Sequence, residues 1–354
     1  MPVAEKFSVV GGLIAESATA GRRSSDTEEG PSDMSTPAPR PTAEQWPIAA
    51  AMLPFPASQD APTDTWVDHL AEVAYEGFTH VDLTDSWVQP GDLSPTRLEE
   101  LGQALAAVGL DPIALSAIRR SVIDPQTGDE NLAYSHRTID AAAALGTKVV
   151  SVGLHRPLLP AQREVLWFWT EEGPADSTDP ETWALAVARL RELGEHAASV
   201  GIELSLEMYE DTLLGTAEAA VRLVQDIDHP SVGLNPDLGN LIRLHRPIED
   251  FQAAVAACLP VSNYWHVKSY FRDENRNTGS YVALPAPMEM GMVNYRTAIR
   301  TAVEVGFTGP FCVENYGGDG LSVSARNARY IRRMLAVATG EARESVLKAA
   351  AVAR

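Results

Sequence analysis

Short apolar runs alternate with longer segments of helical periodicity along most of this chain, and the alternation repeats eight times from Trp46 onward. Regular alternation of strand and helix predicts a parallel sheet that is covered by helices. The eight runs that we interpret as strands span residues 47–53, 80–85, 112–118, 148–154, 202–207, 231–237, 262–268 and 309–315. Eight strand–helix units within roughly 290 residues match a single (β/α)8 barrel.

The domain boundaries follow from where this alternation begins and ends. We predict one α/β domain, a TIM barrel, over residues 46–340, followed by a helical tail over residues 341–354. Residues 1–45 are rich in Ser, Thr, Pro, Gly and charged residues. Such a composition cannot bury enough apolar surface to offset the entropy of ordering the chain, so we predict a disordered N-terminal extension.

The charge balance restricts the class of partner. The 354-residue chain has a formal net charge of −20. Binding to phosphate-rich partners requires an excess of Lys and Arg, so we expect neither a nucleic-acid partner nor a membrane surface. No apolar run approaches the roughly 20 residues that are needed to span a bilayer. The two cysteines, Cys258 and Cys312, do not make a disulfide framework, so a reducing, cytoplasmic location is the simplest expectation.

Four acidic or imidazole side chains lie near the C-terminal ends of the last four predicted strands. They are Glu207, Asp237, His266 and Glu314. In a barrel, the C-terminal strand ends form the rim where active sites are built. Side chains alternate between the two faces of a strand, and each of these four lies on the face opposite to the apolar residues of its run. We therefore expect them to converge toward the barrel axis as ligands of a hard or borderline divalent metal.

A metal held with open coordination positions favours one kind of chemistry. It can bind a carbonyl oxygen together with a neighbouring hydroxyl and lower the pKa of the adjacent C–H bond. A base that removes this proton generates an enediolate. Return of the proton elsewhere gives an isomer or an epimer, whereas expulsion of a β-substituent makes the enzyme a lyase.

The candidate bases are the ligand carboxylates and His155. The predicted strand 148–154 places His155 directly after its end and on the inward face, and an imidazole of near-neutral pKa suits a general base. The alternative is a hydrogen-bonded wall residue that only positions the substrate. Arg156, Asn240 and Lys268 also lie near the rim, and we interpret them as substrate-binding residues, with a turn as the alternative role of Asn240.

Two of the predicted strand–helix connections are long, at residues 155–180 and 269–293. Long loops on the active face are commonly lids or partner-contact surfaces. The first loop contains the aromatic triplet of Trp167, Phe168 and Trp169. Three roles are open for Trp167 and Trp169: stacking on a sugar ring or aglycone, packing against another subunit, or anchoring the loop on its own barrel.

The segments around the candidate ligands resemble those of the sugar phosphate isomerase/epimerase superfamily, the xylose isomerase-like TIM barrels. The matching segments are LSLEM with Glu207, NPDLGN with Asp237, WHVK with His266 and Lys268, and FCVEN with Glu314. In ketose 3-epimerases of this superfamily, the residues that match Glu207 and Glu314 are both metal ligands and acid/base catalysts. The superfamily often has His three residues after the Asp, where this chain has Asn240, and in this it departs from a simple ketose epimerase.

A narrower resemblance is carried by YWHVKSYFRDEN, by GPFCVENYGGDGLS and by the long loop after the fourth strand. These segments look like those of the catalytic α subunit of bacterial C-glycoside deglycosidases. The resemblance implies a lyase that depends on Mn²⁺, with Mg²⁺, Co²⁺ and Zn²⁺ as other candidates, and that acts on 3-oxo-glucosides with a small β subunit. His155 is then the base that removes the proton at C2, after which the aglycone leaves C1.

Four functions therefore stay open on the sequence. The first is a carbon–carbon lyase for 3-oxo-C-glycosides, and the second is a sugar isomerase or ketose 3-epimerase that uses the same metal and enediolate. The third, an endonuclease-IV-like enzyme on the same barrel, needs further metal ligands and a basic groove, which the net charge of −20 disfavours. The fourth is a metal-binding barrel without catalytic activity.

Overall fold

The computed structural model describes residues 40–275 and 277–352. Eight parallel strands form a nearly closed barrel, which confirms the predicted fold, and two further strands form a separate antiparallel hairpin. In chain order the strands are β1 (Ile48–Ala51), β2 (His80–Thr84), β3 (Asp111–Ala117), β4 (Val149–Gly153), β5 (Glu203–Glu207), β6 (Val232–Asn235), β7 (Trp265–Val267), the hairpin strands β8 (Ser269–Asn275) and β9 (Ser280–Ala286), and β10 (Phe311–Val313).

Helices follow the strands and cover the outside of the barrel. They are α1 (Thr63–Tyr75), α2 (Pro95–Val108), α3 (Gly128–Leu145), α4 (Pro160–Arg163), α5 (Pro180–Ser199), α6 (Ala217–Ile227), α7 (Leu238–Ile242), α8 (Phe251–Cys258), α9 (Tyr295–Glu304), α10 (Gly320–Ala338) and α11 (Glu341–Val352). Many begin at a side-chain N-cap: Ser94, Asp179 and Thr216 each accept a backbone N–H of the first turn. Across the described ranges, the helices are all too short or too polar to cross a membrane.

The two ends of the chain can be compared with the predicted boundaries only in part. Most of the predicted N-terminal extension, residues 1–39, lies outside the described residues. From Arg40 onward the chain is placed, and Ala43 is buried, with its N–H donating to the Glu341 carboxylate at 3.0 Å. The segment predicted as a C-terminal tail contains α11, which contributes no buried residue to the core. Its separation from the barrel domain stays a prediction.

Between β6 and β7 the barrel has few backbone hydrogen bonds, and the side chain of Asn235 helps to close it. The strands pair in the order β6-β5-β4-β3-β2-β1-β10-β7, and Leu234 of β6 forms an isolated bridge with Ser262, in the segment that precedes β7. At this junction Asn235 accepts the backbone N–H of His266 at 2.7 Å and donates to Ser151 on β4 at 3.2 Å. A buried amide therefore ties β6 to β4 and β7 and fixes the strand that carries His266.

The inner face of the barrel carries polar side chains above a small apolar cluster that includes Ala114, Val149 and Cys312, whereas the outer face is apolar. Leu204 and Leu206 of β5 point outward and pack in the main apolar core under the helices. On the inner face Ser116, Ser151 and Ser205 lie in register on β3, β4 and β5, and all three are buried. The alternation predicted for the strands is thus present, and it directs polar side chains toward the barrel axis.

Asp85, which directly follows β2, gives the fold a testable pH dependence. Its carboxylate accepts the backbone N–H of Ile118 at 3.1 Å and lies 3.8 Å from the Arg120 guanidinium. Burial raises its pKa from 3.8 to about 7, although both contacts lower it. Because the folded pKa is the higher one, this carboxyl stabilises the fold below about pH 4, and that stabilisation is lost as the pH rises through 7.

We expect Asp85→Asn to remove this loss. Between pH 4 and pH 8 the free energy of unfolding of the parent chain should fall relative to that of the variant by up to about 4 kcal/mol, the equivalent of three pKa units. Urea unfolding at both pH values measures the difference. Asp60→Asn, at an exposed position, is the control. Parallel pH profiles for parent and Asp85→Asn contradict the assignment.

Candidate metal centre and active site

The structure brings the four predicted metal ligands together at the C-terminal rim. Glu207 ends β5, Asp237 is the N-cap of α7, His266 is the middle residue of β7, and Glu314 directly follows β10. All four are buried, with at most 4% of each residue exposed. Each therefore reaches the barrel axis from a different strand end, which is the arrangement that strand alternation predicts.

The distances among these groups suit a single cation. One ligand atom from each of Glu207, Asp237 and His266 lies within 4.8 Å of the others. His266 Nδ1 is 3.1 Å from Glu314 Oε1 and 3.7 Å from Glu207 Oε1. Although buried, this Nδ1 has no hydrogen-bond partner of acceptable geometry among the described residues. An unprotonated Nδ1 facing carboxylate oxygens is a donor set for a divalent metal.

Lys268 supplies a fixed positive charge inside the same cluster. Its buried ammonium donates to Asp237 Oδ2 and to Glu314 Oε2. It uses one oxygen of each carboxylate, so Glu314 Oε1 stays directed at His266. The three ligand carboxylates, Lys268 and one divalent ion together carry no net charge, which is the balance that a buried site requires.

The pKa values of the predicted ligands indicate that metal binding is coupled to the release of protons. Burial raises the pKa of Glu207, but the imidazoles of His155 and His266 lower it by more, to about 2. Burial lowers the pKa of His266, but Glu314 and the other neighbouring anionic groups raise it well above 6.5. Burial also raises the pKa of Asp237 to about 7, against the lowering effect of Lys268. A metal must displace protons from His266 and Asp237, so its affinity should rise with pH.

Asp82 is part of this centre, although the sequence interpretation treated its segment only as a strand. Its Oδ2 lies 3.3 Å from His266 Nε2 and accepts the hydroxyls of Tyr264 and Ser116, each at 2.7 Å. An acceptor at Nε2 places the ring proton there and leaves Nδ1 free for a metal. The signal was available, because alternation along β2 puts Asp82 on the face opposite to Val81.

His155 lies beside the predicted ligands, at the position expected for the candidate base. Its Nε2 is 3.8 Å from Glu207 Oε1, and its ring packs edge-on against Tyr209 with centroids 3.9 Å apart. Burial lowers its pKa to about 4, so the imidazole is neutral at pH 7 and able to accept a proton. Gly153 makes room for it, since a Cβ at that position would lie 2.3 Å from the ring.

Asn240 and Arg156, both predicted to bind substrate, have protein partners. The Asn240 amide donates to Glu207 Oε1 at 3.0 Å and to the Met208 carbonyl at 2.9 Å. Arg156 lies 3.4 Å from the Asp124 carboxylate and donates to the Ala175 carbonyl, so it braces the loop after β4. Asn240 therefore contacts a predicted metal ligand directly, whereas the contacts of Arg156 are with residues outside the predicted ligand set.

Arg119 is a cationic group at the site that the sequence interpretation did not single out. It follows β3 with a φ of +58°, a conformation that is uncommon for residues other than Gly, Asn and Asp. Its guanidinium donates to the Arg156 carbonyl at 3.1 Å and to the Tyr209 hydroxyl at 3.3 Å. Within the described ranges it has no carboxylate partner, so its charge is available to a ligand.

The aromatic triplet forms part of a cover over the site. Trp169 is buried and its indole N–H donates to the Ala283 carbonyl of β9 at 2.8 Å, which anchors the loop to the hairpin. Trp167 is partly exposed and stacks on Trp169 with ring centroids 5.1 Å apart. It also lies against Gly317, where a Cβ would be 2.2 Å from its ring. We call Trp167, Phe168, Trp169 and Tyr316 the aromatic cover.

The space under this cover is small. A cavity of about 20 Å³ is lined by Leu53, Ile118, Arg119, His155, Glu207, Tyr209, Asn240, Glu314 and Tyr316. That volume holds about one water molecule. A larger groove of about 890 Å³ lies outside, between α1 and the start of α10, but none of the metal ligands lines it. A sugar is larger than this cavity, so its binding requires rearrangement of the lining residues, of which Tyr316 belongs to the aromatic cover.

Comparison with known proteins defines the class. Residues 67–335 match the family described as the xylose isomerase-like TIM barrel. The match spans well over half of the chain and includes all four predicted ligands. The chain therefore belongs to this family, as the resemblance noted in its sequence motifs implies.

Individual relatives extend the comparison. A xylose isomerase-like TIM barrel protein from Mycobacterium smegmatis, solved in complex with magnesium, is 47% identical with a TM-score of 0.79, covering 84% of this chain and 99% of that one. L-ribulose-5-phosphate 3-epimerase UlaE of Escherichia coli is 23% identical over 261 residues, 71% of this chain and 82% of the relative. A solved L-ribulose 3-epimerase shares the fold, with a TM-score of 0.63 at 16% identity over 85% of this chain and 98% of that one.

The assigned role of Asp82 can be tested by metal titration. We expect Asp82→Asn to weaken Mn²⁺ binding by roughly 10- to 100-fold, because the His266 ring loses the acceptor that orients it. Calorimetric titration of the metal-free chain measures this. Glu207→Ala should abolish binding. Ser205→Ala, which removes another buried polar group of the barrel interior, should leave binding unchanged. An Asp82→Asn variant with parental affinity rules out the assignment.

Proposed function

We propose that this protein is a divalent-metal-dependent sugar isomerase or epimerase that removes a proton next to a sugar carbonyl. The observation that carries the proposal is the pairing of Glu207 and Glu314. These two buried carboxylates lie at the end of β5 and directly after β10, both approach His266 Nδ1, and both line the same small cavity. Two carboxylates around one reacting carbon supply both an acceptor and a donor of the transferred proton.

A divalent metal at the four ligands, when bound, polarises the substrate carbonyl as a Lewis acid and acidifies the neighbouring C–H bond. The low pKa of Glu207 keeps its carboxylate ionised at neutral pH and so available as the proton acceptor. Removal of the proton gives an enediolate. Glu314 takes up a proton from solvent and delivers it to the carbon, while Glu207 keeps the proton that it removed. Delivery to the face opposite to that of removal gives an epimer, and exchange with solvent restores both carboxylates.

Other residues of the chain hold the substrate and exclude water. Lys268, which contacts Asp237 and Glu314, and Arg119, which lines the cavity, provide positive charge that favours the negative charge developing on the enediolate oxygens. The aromatic cover leaves room for about one water molecule, so closure over a bound sugar removes bulk solvent from the reacting atoms.

A second candidate function, lyase action on 3-oxo-C-glycosides, is favoured by His155. This imidazole is neutral, lines the cavity and stands next to Glu207, so the site has a third group able to carry a proton. Simple epimerisation requires only two. In the lyase, His155 removes the proton at C2, the electron pair forms the C1–C2 double bond, and the aglycone leaves C1 with a proton from the site. Such an enzyme is expected to work with a small β subunit.

The metal and the compartment are proposed on chemical grounds. Carboxylate and imidazole ligands accept Mn²⁺, Mg²⁺, Co²⁺ and Zn²⁺. We propose Mn²⁺ as the working ion and include Mg²⁺ in every assay, because the 47% identical structure is a magnesium complex. Both cysteines, Cys258 and Cys312, are free and buried, which supports a reducing, cytoplasmic location.

Solvent deuterium exchange separates the two functions. The metal-loaded protein is incubated in heavy water with D-fructose, L-ribulose 5-phosphate, or a 3-oxo-glucoside that carries a C-linked phenol. We expect deuterium to enter a ketose at the carbon next to the carbonyl, with the epimer appearing in parallel. Exchange confined to the 3-oxo-glucoside, with release of the phenol, establishes the lyase instead. Absence of exchange from all three substrates with metal bound refutes both.

Replacement of His155 tests its place in the reaction. We expect His155→Asn to bind Mn²⁺ with an affinity within a few-fold of the parent, because Nε2 contacts Glu207 at 3.8 Å and is not among the four ligands. Exchange should fall at least about 100-fold if His155 carries the proton. Mass spectrometry of the sugar and metal titration give the two values. Parental exchange in the variant removes His155 from the proton transfer and leaves it to Glu207 and Glu314.

A further inference from the structure

Arg243 lies directly behind the metal ligands, and no step proposed above uses it. Its side chain is completely buried, 0% exposed. The surrounding rings belong to Phe168 and Trp169, both 5.1 Å from the guanidinium carbon, and to Tyr209, Tyr270 and Tyr316 at 5.4, 5.7 and 5.8 Å. A cation removed from water to this degree is costly unless its N–H groups have strong acceptors.

The acceptors of Arg243 connect it to the active site. It forms an ion pair with Glu210 at 2.7 Å and donates to the Tyr270 hydroxyl at 3.3 Å. It also donates to Asn240 Oδ1 at 2.5 Å. Since a guanidinium can only donate, this contact requires the oxygen of the Asn240 amide to face Arg243 and the amide nitrogen to face away.

The nitrogen of that amide is the group that contacts Glu207. It donates to Glu207 Oε1 at 3.0 Å and to the Met208 carbonyl at 2.9 Å. Asn240 and Arg243 are three residues apart around α7, so a single short helix presents both. Two hydrogen bonds thus connect Arg243 to Asn240 and Asn240 to Glu207. Because the guanidinium can only donate, it determines which end of the Asn240 amide faces Glu207.

We propose that Arg243 is a positioning residue for Glu207 and acts through Asn240. By fixing the orientation of the amide, it holds the Glu207 carboxylate in the rotation that faces His266. An alanine at 240 leaves the carboxylate and the guanidinium each without one partner. The inference rests on the proposed function in so far as Glu207 is taken as a metal ligand and proton acceptor.

The same geometry extends to the aromatic cover. Phe168 and Trp169 come from the loop after β4, and Tyr316 comes from the segment after β10. All three rings shield the Arg243 guanidinium, which strengthens its hydrogen bonds by excluding water. The cover and the Glu207 carboxylate are thus joined through one buried cation.

The test is a double-mutant cycle read by metal affinity, which needs no knowledge of the sugar. Mn²⁺ alone is titrated into the metal-free full-length chain, Asn240→Ala, Arg243→Gln and the double variant. We expect each single change to raise the Kd for Mn²⁺ about tenfold, as for other residues that orient metal ligands. If Arg243 acts through Asn240, the double variant stays near tenfold. Independent effects, which multiply to about 100-fold, overturn the proposal.

Arg243→Lys covers the case in which Arg243→Gln does not fold, because it keeps a positive charge beside Glu210. One ammonium cannot reproduce the fork that reaches both Glu210 and Asn240, so we expect Mn²⁺ affinity to fall at least about threefold. Parental affinity in Arg243→Lys overturns the proposal. If the parent protein binds Mn²⁺ but exchanges no deuterium into any sugar, that result counts against the proposed function and leaves the role of Arg243 in metal binding unaffected.

Arg272 provides the matched control. Its side chain is 1% exposed, pairs with Glu274, and donates to the backbone carbonyls of Ile242 and Leu244, just after α7. Arg272→Lys should lower the melting temperature without changing the Kd for Mn²⁺. An equal loss of Mn²⁺ affinity in Arg272→Lys and Arg243→Lys would show a general effect of stability and overturn the specific role of Arg243.

Discussion

Mutual repulsion among three buried carboxylates is the constraint on which this rim is built. Glu207, Asp237 and Glu314 meet at the barrel axis with almost no access to water, and anions in such a position require compensating charge. The chain supplies one positive charge through Lys268, which contacts Asp237 and Glu314. His266, whose Nδ1 is 3.1 Å from Glu314 Oε1, is neutral when it acts as a ligand and adds no charge. The remainder corresponds to one divalent ion, so the centre combines charge neutrality with an open coordination site.

The parts of this structure that follow from period-two alternation were predictable, and the parts that depend on long side chains crossing between loops were not. Strand ends and parity placed Glu207, Asp237, His266 and Glu314, and they also placed His155. The same rule applied to β2 finds Asp82. Arg119 and Arg243 are different, because their positions follow from a left-handed backbone residue and from a one-turn helix. Neither feature has a periodic signature.

The chain has Asn240 where the superfamily often has a histidine, and the hydrogen bonds of Asn240 show what the amide contributes. A histidine at this position could donate one ring hydrogen toward Glu207. The amide donates two hydrogen bonds, to Glu207 and Met208, and accepts a third from Arg243. With all three hydrogen bonds formed, the neutral Asn240 amide holds the Glu207 carboxylate, and Arg243 sets the orientation of that amide. His155 approaches the same oxygen of Glu207, with its Nε2 3.8 Å from Oε1, so an imidazole is still present beside this carboxylate.

The small size of the cavity at the site affects how a ligand can bind. With space for about one water molecule, the closed arrangement excludes a sugar, so binding must draw on an open population of the free protein. The apparent dissociation constant is then the intrinsic one divided by the open fraction. A looser Trp167–Gly317 contact would enlarge that fraction and tighten apparent binding, while admitting bulk solvent to the site. The packing of Trp167 on Gly317 therefore links the apparent affinity for a ligand to the exclusion of water from the site.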